Sequence, residues 1–545
     1  MRQQAGVPAC SSRSFLSGVS FPMIRNLLAL SLAFSALTPI AAQAQDAPKR
    51  PTFPFTTDVA FDPSKVAPYQ GKFPATYAHI EANKQAHIEN VQRWVRQRSI
   101  SAQNDGVVQM AEMLRDDLKE LGFKEAELVP TKRHPGVWGY YDAGAKTTIA
   151  VYMMYDVQPI EPTGWKVGAF DGTILEDHPL GRVLMARGAT NQKGPQRIFL
   201  NALQSIIAAE GKLPVNIMLL AEGEEELGSP HYPDLIATYQ DRLKGANGGV
   251  IFPMMSQAPS GGVQMTLGVK GNIYFELEAQ GGPQGGPRDA EIHSSLKAIV
   301  DAPGLRLAQA LASLTSPDGN TILVPGYYDS IRQPDREEQE LINGVVPGWT
   351  AREAEMRKSL GVERWIDGLE GRASLTEYLF NTTLNVDGIW GGYAGEGTKT
   401  ILPHKFTAKL DSRLVPGQSP EESVRLIRSH LDNKGFKDIK LTLLSGYPAA
   451  QSSVKAALVQ ATIGTYRKYG ITPDVMPRLA GSAPYYVFTD ILKLPIVSAG
   501  IGYGTGAHAP NEFIVIDAKP GSKLAGIVDA EKFYVDLVHA VAVAR

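Results

Sequence analysis

Four short apolar runs, at 148–152, 215–221, 250–252 and 494–497, are separated by stretches with helical spacing such as 198–209. Strands that alternate with helices in this way form a mostly parallel sheet covered on both faces, so the pattern predicts an α/β domain. Ahead of it, Ile80, Ile88, Val91, Trp94 and Val95 fall at helical spacing across 76–98, and a second helix is expected over 107–121, stopping at Gly122. The middle of the chain reads differently. Ile273, Phe275 and Leu277 alternate with more polar neighbours, 406–413 alternates again, and 305–314 has the pattern of a short amphipathic helix opening after Pro303-Gly304. These features predict an α+β module with an antiparallel sheet at 270–445, inserted into an α/β domain made of 75–269 and 446–545. The Gly/Pro-rich stretch 281–287 is expected to be a loop inside it, and the Pro-rich segment 45–74 an extended arm.

Composition narrows the function classes. A chain of 545 residues with 43% hydrophobic content can build more than one packed domain. The balance of 54 Lys and Arg against 56 Asp and Glu, with no basic run, argues against a nucleic-acid partner. Arg25, the apolar run 27–37 and the small-residue box Ala42-Gln43-Ala44 form a signal peptide over 1–44, with Met23 as an alternative start. That run is too short to span a bilayer and no later stretch is long enough. The expectation is a secreted, periplasmic protein without a membrane span. The sole cysteine, Cys10, lies upstream of the cleavage point, so the mature chain would have no disulfide and no thiol nucleophile.

Chemistry in an open α/β sheet gathers at the carboxyl ends of the strands. Three segments there are unusual: MMYDVQP at 153–159, ARGATNQKGP at 186–195 and EGEEELGS at 222–229. The last places four carboxylates in five residues directly behind a buried strand. Carboxylates crowded in this way need a cation or shifted protonation equilibria.

These segments resemble the metal-binding signatures of the zinc-exopeptidase family of carnosinase, aminoacylase and succinyl-diaminopimelate desuccinylase, which read GHxD, GRGxxDxKG and EGxEExGS. The late segment His508-Ala509-Pro510-Asn511-Glu512 resembles the family's HxxNE, and Glu291-Ile292-His293-Ser294-Ser295 its DLHSS. Ser412-Arg413-Leu414-Val415-Pro416 resembles its RLVP segment and Gly481-Ser482-Ala483-Pro484 its GGSxP loop. The seven segments occur in the family's order, from about residue 75 to the C-terminus. The resemblance implies a catalytic domain with an inserted dimerisation or lid domain, a homodimer, and hydrolysis of peptide or N-acyl amino acid bonds.

Carried over residue by residue, it makes Glu225 the general base and Glu226 and His508 metal ligands. His293 becomes a catalytic oxyanion or substrate contact reaching across the dimer, and Arg413, with Gly481 and Ser482, the holder of a substrate carboxylate. Three ligand positions are changed: Met154 replaces the first histidine, Asn191 the bridging aspartate and Pro253 the lone aspartate. Neither a thioether nor proline is a hard donor for Zn²⁺, and a neutral amide is a weak one. The expectation is therefore one divalent ion, most naturally zinc, at Asn191, Glu226 and His508, or none. Asp156, which the family uses to orient the missing histidine, has no evident partner in the sequence. Three readings stay open at this point: a small-peptide or N-acyl amino acid hydrolase with one metal, an inactive relative that binds such ligands, and a metal-independent acid–base enzyme using Glu225 and His508.

Overall fold

The computed structural model describes residues 48–282 and 284–544; the expected signal peptide and its cleavage point lie outside them. The first sheet runs in the order Glu125–Val129, Gly136–Tyr141, Asn216–Glu222, Thr148–Met154, Val250–Pro253, Ile496–Ala499. The last three neighbour pairings are parallel, and the two involving Gly136–Tyr141 are antiparallel. Side-chain alternation explains why these runs are apolar throughout. Ile149, Val151 and Met153 enter one core with the helices Val107–Glu120, Lys193–Glu210, Ala457–Lys468 and Ile527–Val543. Ala150, Tyr152 and Met154 point the other way, against Tyr232–Leu243 and the short helical turn Val487–Leu492.

The second sheet is antiparallel, in the order Asn385–Gly391, Lys405–Leu414, Gly268–Gln280, Lys440–Tyr447. Ile273, Phe275 and Leu277 pack on one of its faces against Pro303–Leu314 and Pro420–Asn433. The strand Gly268–Gln280 also carries the chain between the two sheets. Its first residues pair with Ala450–Gln451 and Leu479–Ser482, and the remainder belongs to the second sheet.

Three features depart from the sequence reading. The helix expected over 76–98 is two helices, Pro74–Ala82 and Lys84–Arg96, broken at Asn83. A four-stranded antiparallel sheet, Gly504–Thr505, Phe513–Ala518, Gly181–Met185, Thr173–His178, carries the ARGATN turn at the end of one strand. The helices Arg336–Leu360 and Gly371–Phe380 leave the second sheet and pack on Asp474–Met476, through Ile342, Val345, Trp349, Leu375, Leu379, Phe380 and Met476. Residues 48–62 have no helix or strand and run along these helices; Asn343 donates to the carbonyls of Thr57 and Val59 at 2.8 and 2.9 Å, and Phe53 packs on Phe380. Among the described residues no helix is long and apolar enough to cross a membrane.

A buried ion cluster ties this helical segment to Arg478, which directly precedes the strand Leu479–Ser482. Glu338, fully buried, accepts two hydrogen bonds from Arg332, at 2.8 and 2.9 Å, and pairs with the equally buried Arg478. It also closes the capping box of Arg336–Leu360 with Asp335. Removing one member of such a pair strands the other charge. Glu338→Ala should therefore cost roughly 3–5 kcal/mol in urea unfolding; a loss below about 1 kcal/mol would show that Arg478 finds compensation elsewhere.

Candidate active site

Parallel pairing of Thr148–Met154 with Asn216–Glu222 sets Met154 directly opposite Glu222, so the first and third motifs emerge side by side. Asp156 follows the first strand and is fully buried. Its two carboxylate oxygens accept the backbone N–H groups of Glu225, at 3.2 Å, and Glu226, at 3.1 Å. Burial, with Glu226 nearby, pushes its pKa up to about 7. The partner that the sequence left unidentified is thus the short turn Glu225–Leu227, which Asp156 pins in place.

Glu226 is the centre of a compact polar set. Asn191 Nδ2 donates to one of its oxygens at 2.7 Å, Gln158 Nε2 to the other at 2.8 Å, and His508 Nε2 lies 3.2 Å from that second oxygen. Asn191 Nδ2 is also 3.1 Å from His508 Nε2. The hydrogen bond to Glu226 raises the His508 pKa above its ordinary value against the opposing effect of burial. Glu225, half-buried beside them, has its carboxyl pushed well above the usual range by burial and by Glu226, Asp156 and Glu222. Glu222 lies deeper, accepting from Tyr152 at 2.7 Å and Ser229 at 2.9 Å. Glu224 is engaged by His231 at 2.6 Å.

The other predicted residues divide. Arg413 and Ser482 are brought together: Arg413 Nη1 donates to Ser482 Oγ at 2.9 Å, and Ser482 Oγ donates to the Gly271 carbonyl at 3.0 Å. Gly481 precedes Ser482 in the strand Leu479–Ser482. The second sheet also touches the carboxylate turn. A Cβ built on Gly228 would sit 2.5 Å from Ser445 Oγ and 3.7 Å from the Tyr274 ring, and Arg413 stands 5.7 Å from the centre of that ring. His293 is elsewhere, exposed at the end of Ile292–His293, with Ser295 and Thr400 as its ring partners at 2.8 and 3.2 Å. Met154 and Pro253 are buried strand-end residues, and Met154 joins the apolar core with Tyr152 and Phe252.

Glu512 is a site residue that motif reading quoted without a role. It is fully buried and accepts the backbone N–H groups of Gly188, Thr190 and Asn191 at 3.0, 2.9 and 2.9 Å, and Arg187 Nη1 at 3.0 Å. It therefore fixes the turn that presents Asn191. Gln158 was missed as well; only its position two residues after Asp156 hinted at it.

The side chains expected to face a metal divide into a polar group and two apolar strand ends. Asn191, Glu226 and His508 converge within hydrogen-bond distance of one another, whereas Met154 and Pro253 offer no hard donor. Among the described residues no group of three or more His, Cys, Asp or Glu side chains could hold a metal.

The model of the peptidase family M20/M25/M40 matches residues 150–533, a span that contains all of these segments. The chain belongs to this family. Its members are hydrolases. A Beta-Ala-His dipeptidase of Rattus norvegicus is 24% identical over 477 residues, covering 82% of this chain and 92% of that protein. A Cys-Gly metallodipeptidase of Schizosaccharomyces pombe is 28% identical over 467 residues, covering 81% and 94%. Among solved structures, an M20 family metallo-carboxypeptidase of Sulfolobus solfataricus is 33% identical with a TM-score of 0.74, covering 84% of this chain and 99% of that one. The family's catalytic domain with an inserted dimerisation domain is the architecture in which the two sheets stand here.

The Glu512 contacts generate a direct expectation. Glu512→Ala would orphan three backbone donors and leave Arg187 buried without its carboxylate, at a cost of about 3 kcal/mol or more. Chemical denaturation measures this; a loss under about 1 kcal/mol would mean that water replaces the carboxylate freely.

Proposed function

We propose that the chain hydrolyses amide bonds of small peptides or N-acyl amino acids carrying a free carboxylate, with at most one divalent ion at its site. The observation that carries this reading is the placement of the Asp156-pinned Glu225 turn against the sheet face that holds Arg413 and Ser482. Glu225, held among carboxylates in a half-buried position, is suited to take a proton from water and pass it to the leaving amine. Arg413, steadied by Ser482 and by Asp411 at 3.1 Å, is suited to a bidentate carboxylate contact. Glu226, His508 and the Asn191 amide would hold one divalent ion, zinc being the natural fit, and when bound it would supply a Lewis acid beside Glu225.

Glu225→Gln should lower hydrolysis of a dipeptide panel by about 100-fold or more, in line with the usual contribution of a general base. Unchanged turnover would overturn the assignment. A specific observation favours one alternative: Asn191, Glu226, Gln158 and His508 satisfy one another by hydrogen bonding alone, as a peptide-binding relative without turnover would require. Wild-type protein that binds dipeptides and hydrolyses none would establish that alternative.

The reading extends to a homodimer built through the second sheet. Asn385–Gly391 is the edge strand of that sheet and exposes Ile389 and Trp390, while nearby Leu305 and Ile299 are 60% and 83% exposed. An unpaired edge beside apolar side chains is a surface that a second copy can cover. It would bring His293 toward a partner's cleft, the place the family resemblance implies for it. Light scattering at micromolar concentration should give twice the chain mass; a monomer would remove both the dimer and that role of His293.

A further inference from the structure

The edge strand Asn385–Gly391 stops short of Arg413: its last pairing sets Asn385 opposite Asp411. Beyond that point the loop ahead of the strand takes over. Thr382 Oγ1 donates to the Arg413 carbonyl at 2.7 Å and Thr383 N–H to the same carbonyl at 3.3 Å, while Arg413 N–H donates to Thr383 Oγ1 at 3.1 Å. Two threonine hydroxyls therefore do what a strand's backbone would do, and both backbone polar groups of Arg413 are held by this clip.

The clip hangs from a buried knot at the end of the helix Gly371–Phe380. Asn381, 3% exposed, accepts Nζ of the buried Lys270 on its carbonyl at 2.7 Å and the Thr382 N–H on Oδ1 at 2.9 Å. Its Nδ2 donates to Glu377 Oε1 at 2.7 Å. The same Glu377 oxygen accepts Arg50 Nη1 at 2.9 Å, and Arg50 also pairs with Asp367. Phe380, one residue before Asn381, packs on Phe53 with ring centres 5.9 Å apart and carries the Arg478 guanidinium 4.2 Å from its own ring centre. Arg478 leads directly into the strand whose Ser482 accepts from Arg413. The N-terminal arm is connected in this way to both members of the Arg413–Ser482 pair.

We propose that the arm positions Arg413 for the substrate carboxylate. Arg50 holds Glu377, Glu377 holds Asn381, and the Thr382–Thr383 clip holds the arginine's backbone. A planar guanidinium fork meets a carboxylate through two parallel bonds only when it is correctly oriented, so a small shift of its backbone weakens both bonds together. Arg50 and Thr382 act through Arg413 and are positioning residues. The inference rests on the carboxylate role given to Arg413 in the proposed function.

The test titrates alanyl-alanine and its C-terminal amide calorimetrically into the full chain carrying Glu225→Gln, which prevents turnover. The parent should prefer the free carboxylate about tenfold or more, and Arg413→Met should bring that preference to about one. Thr382→Val keeps the side-chain shape and should cut the preference about threefold or more. Arg50→Met should cut it about two- to fivefold. Thr382→Ser and Arg50→Lys should restore it, which a loss through general destabilisation would not produce. A parent that binds neither ligand, or shows no preference, overturns the carboxylate role and this inference with it. A preference that Arg413→Met abolishes but Thr382→Val or Arg50→Met leaves unchanged overturns this inference alone. The same result with a lowered melting temperature also overturns it and assigns the arm to stability.

Discussion

Asp156 ties together two strand ends that the parallel sheet has already set side by side. Its carboxylate takes the backbone N–H groups of Glu225 and Glu226, so a chain segment carrying four acidic residues can turn sharply over the buried Asp156. Without that acceptor the turn would bury two unpaired donors beneath its own negative charge, which argues for local unfolding rather than an open cleft. Glu512 does the equivalent for the neighbouring turn, gathering three backbone donors and Arg187 behind Asn191. The residues nearest the chemistry are thus held by carboxylates that stand behind them, and both are buried because they act on backbone rather than on ligand.

Asn191 changes what the centre requires. A carboxylate there would stand about as far from Glu226 as the amide does, 2.7 Å. At such a separation two like charges repel by roughly 6 kcal/mol at an effective dielectric of about 20, and only a bound cation or a shared proton relieves it. The amide reverses the sign of the contact, donating to Glu226 where a carboxylate would repel it. Asn191, Gln158, Glu226 and His508 therefore hold their arrangement through hydrogen bonds, and in the proposed reading a metal would be an addition to that arrangement, not a requirement of it. Met154 and Pro253 are absorbed at buried strand ends, which suits the proposed reading of a site with fewer metal donors.

Much of this was legible in the sequence because it depends on periodicity. The apolar runs at 148–152, 215–221 and 250–252 became strands of one sheet, and the alternation of Ile273, Phe275 and Leu277 became the core face of the other. Motif order located Glu225, Glu226, Asn191, His508, Arg413 and Ser482, and the fold gathers them around one region in two groups. What could not be read were contacts set by tertiary closure. Asp156 looked purposeless because its partners are backbone amides 69 and 70 residues away. Gln158 stood within a quoted segment but was given no role, since its importance lies in the contact it makes with Glu226. The break at Asn83 escaped because the apolar spacing continues across it. The helices Arg336–Leu360 and Gly371–Phe380 escaped because their faces pack on the distant strand Asp474–Met476.

We propose that the site binds at most one divalent ion, at Asn191, Glu226 and His508. Metal content of the purified chain, measured by elemental analysis after incubation with excess Zn²⁺ or Mn²⁺ and removal of unbound ion, tests it directly. The account predicts no more than one ion per subunit. Two tightly held ions per subunit would contradict it, because other side chains would then have to replace Met154 and Pro253 as ligands.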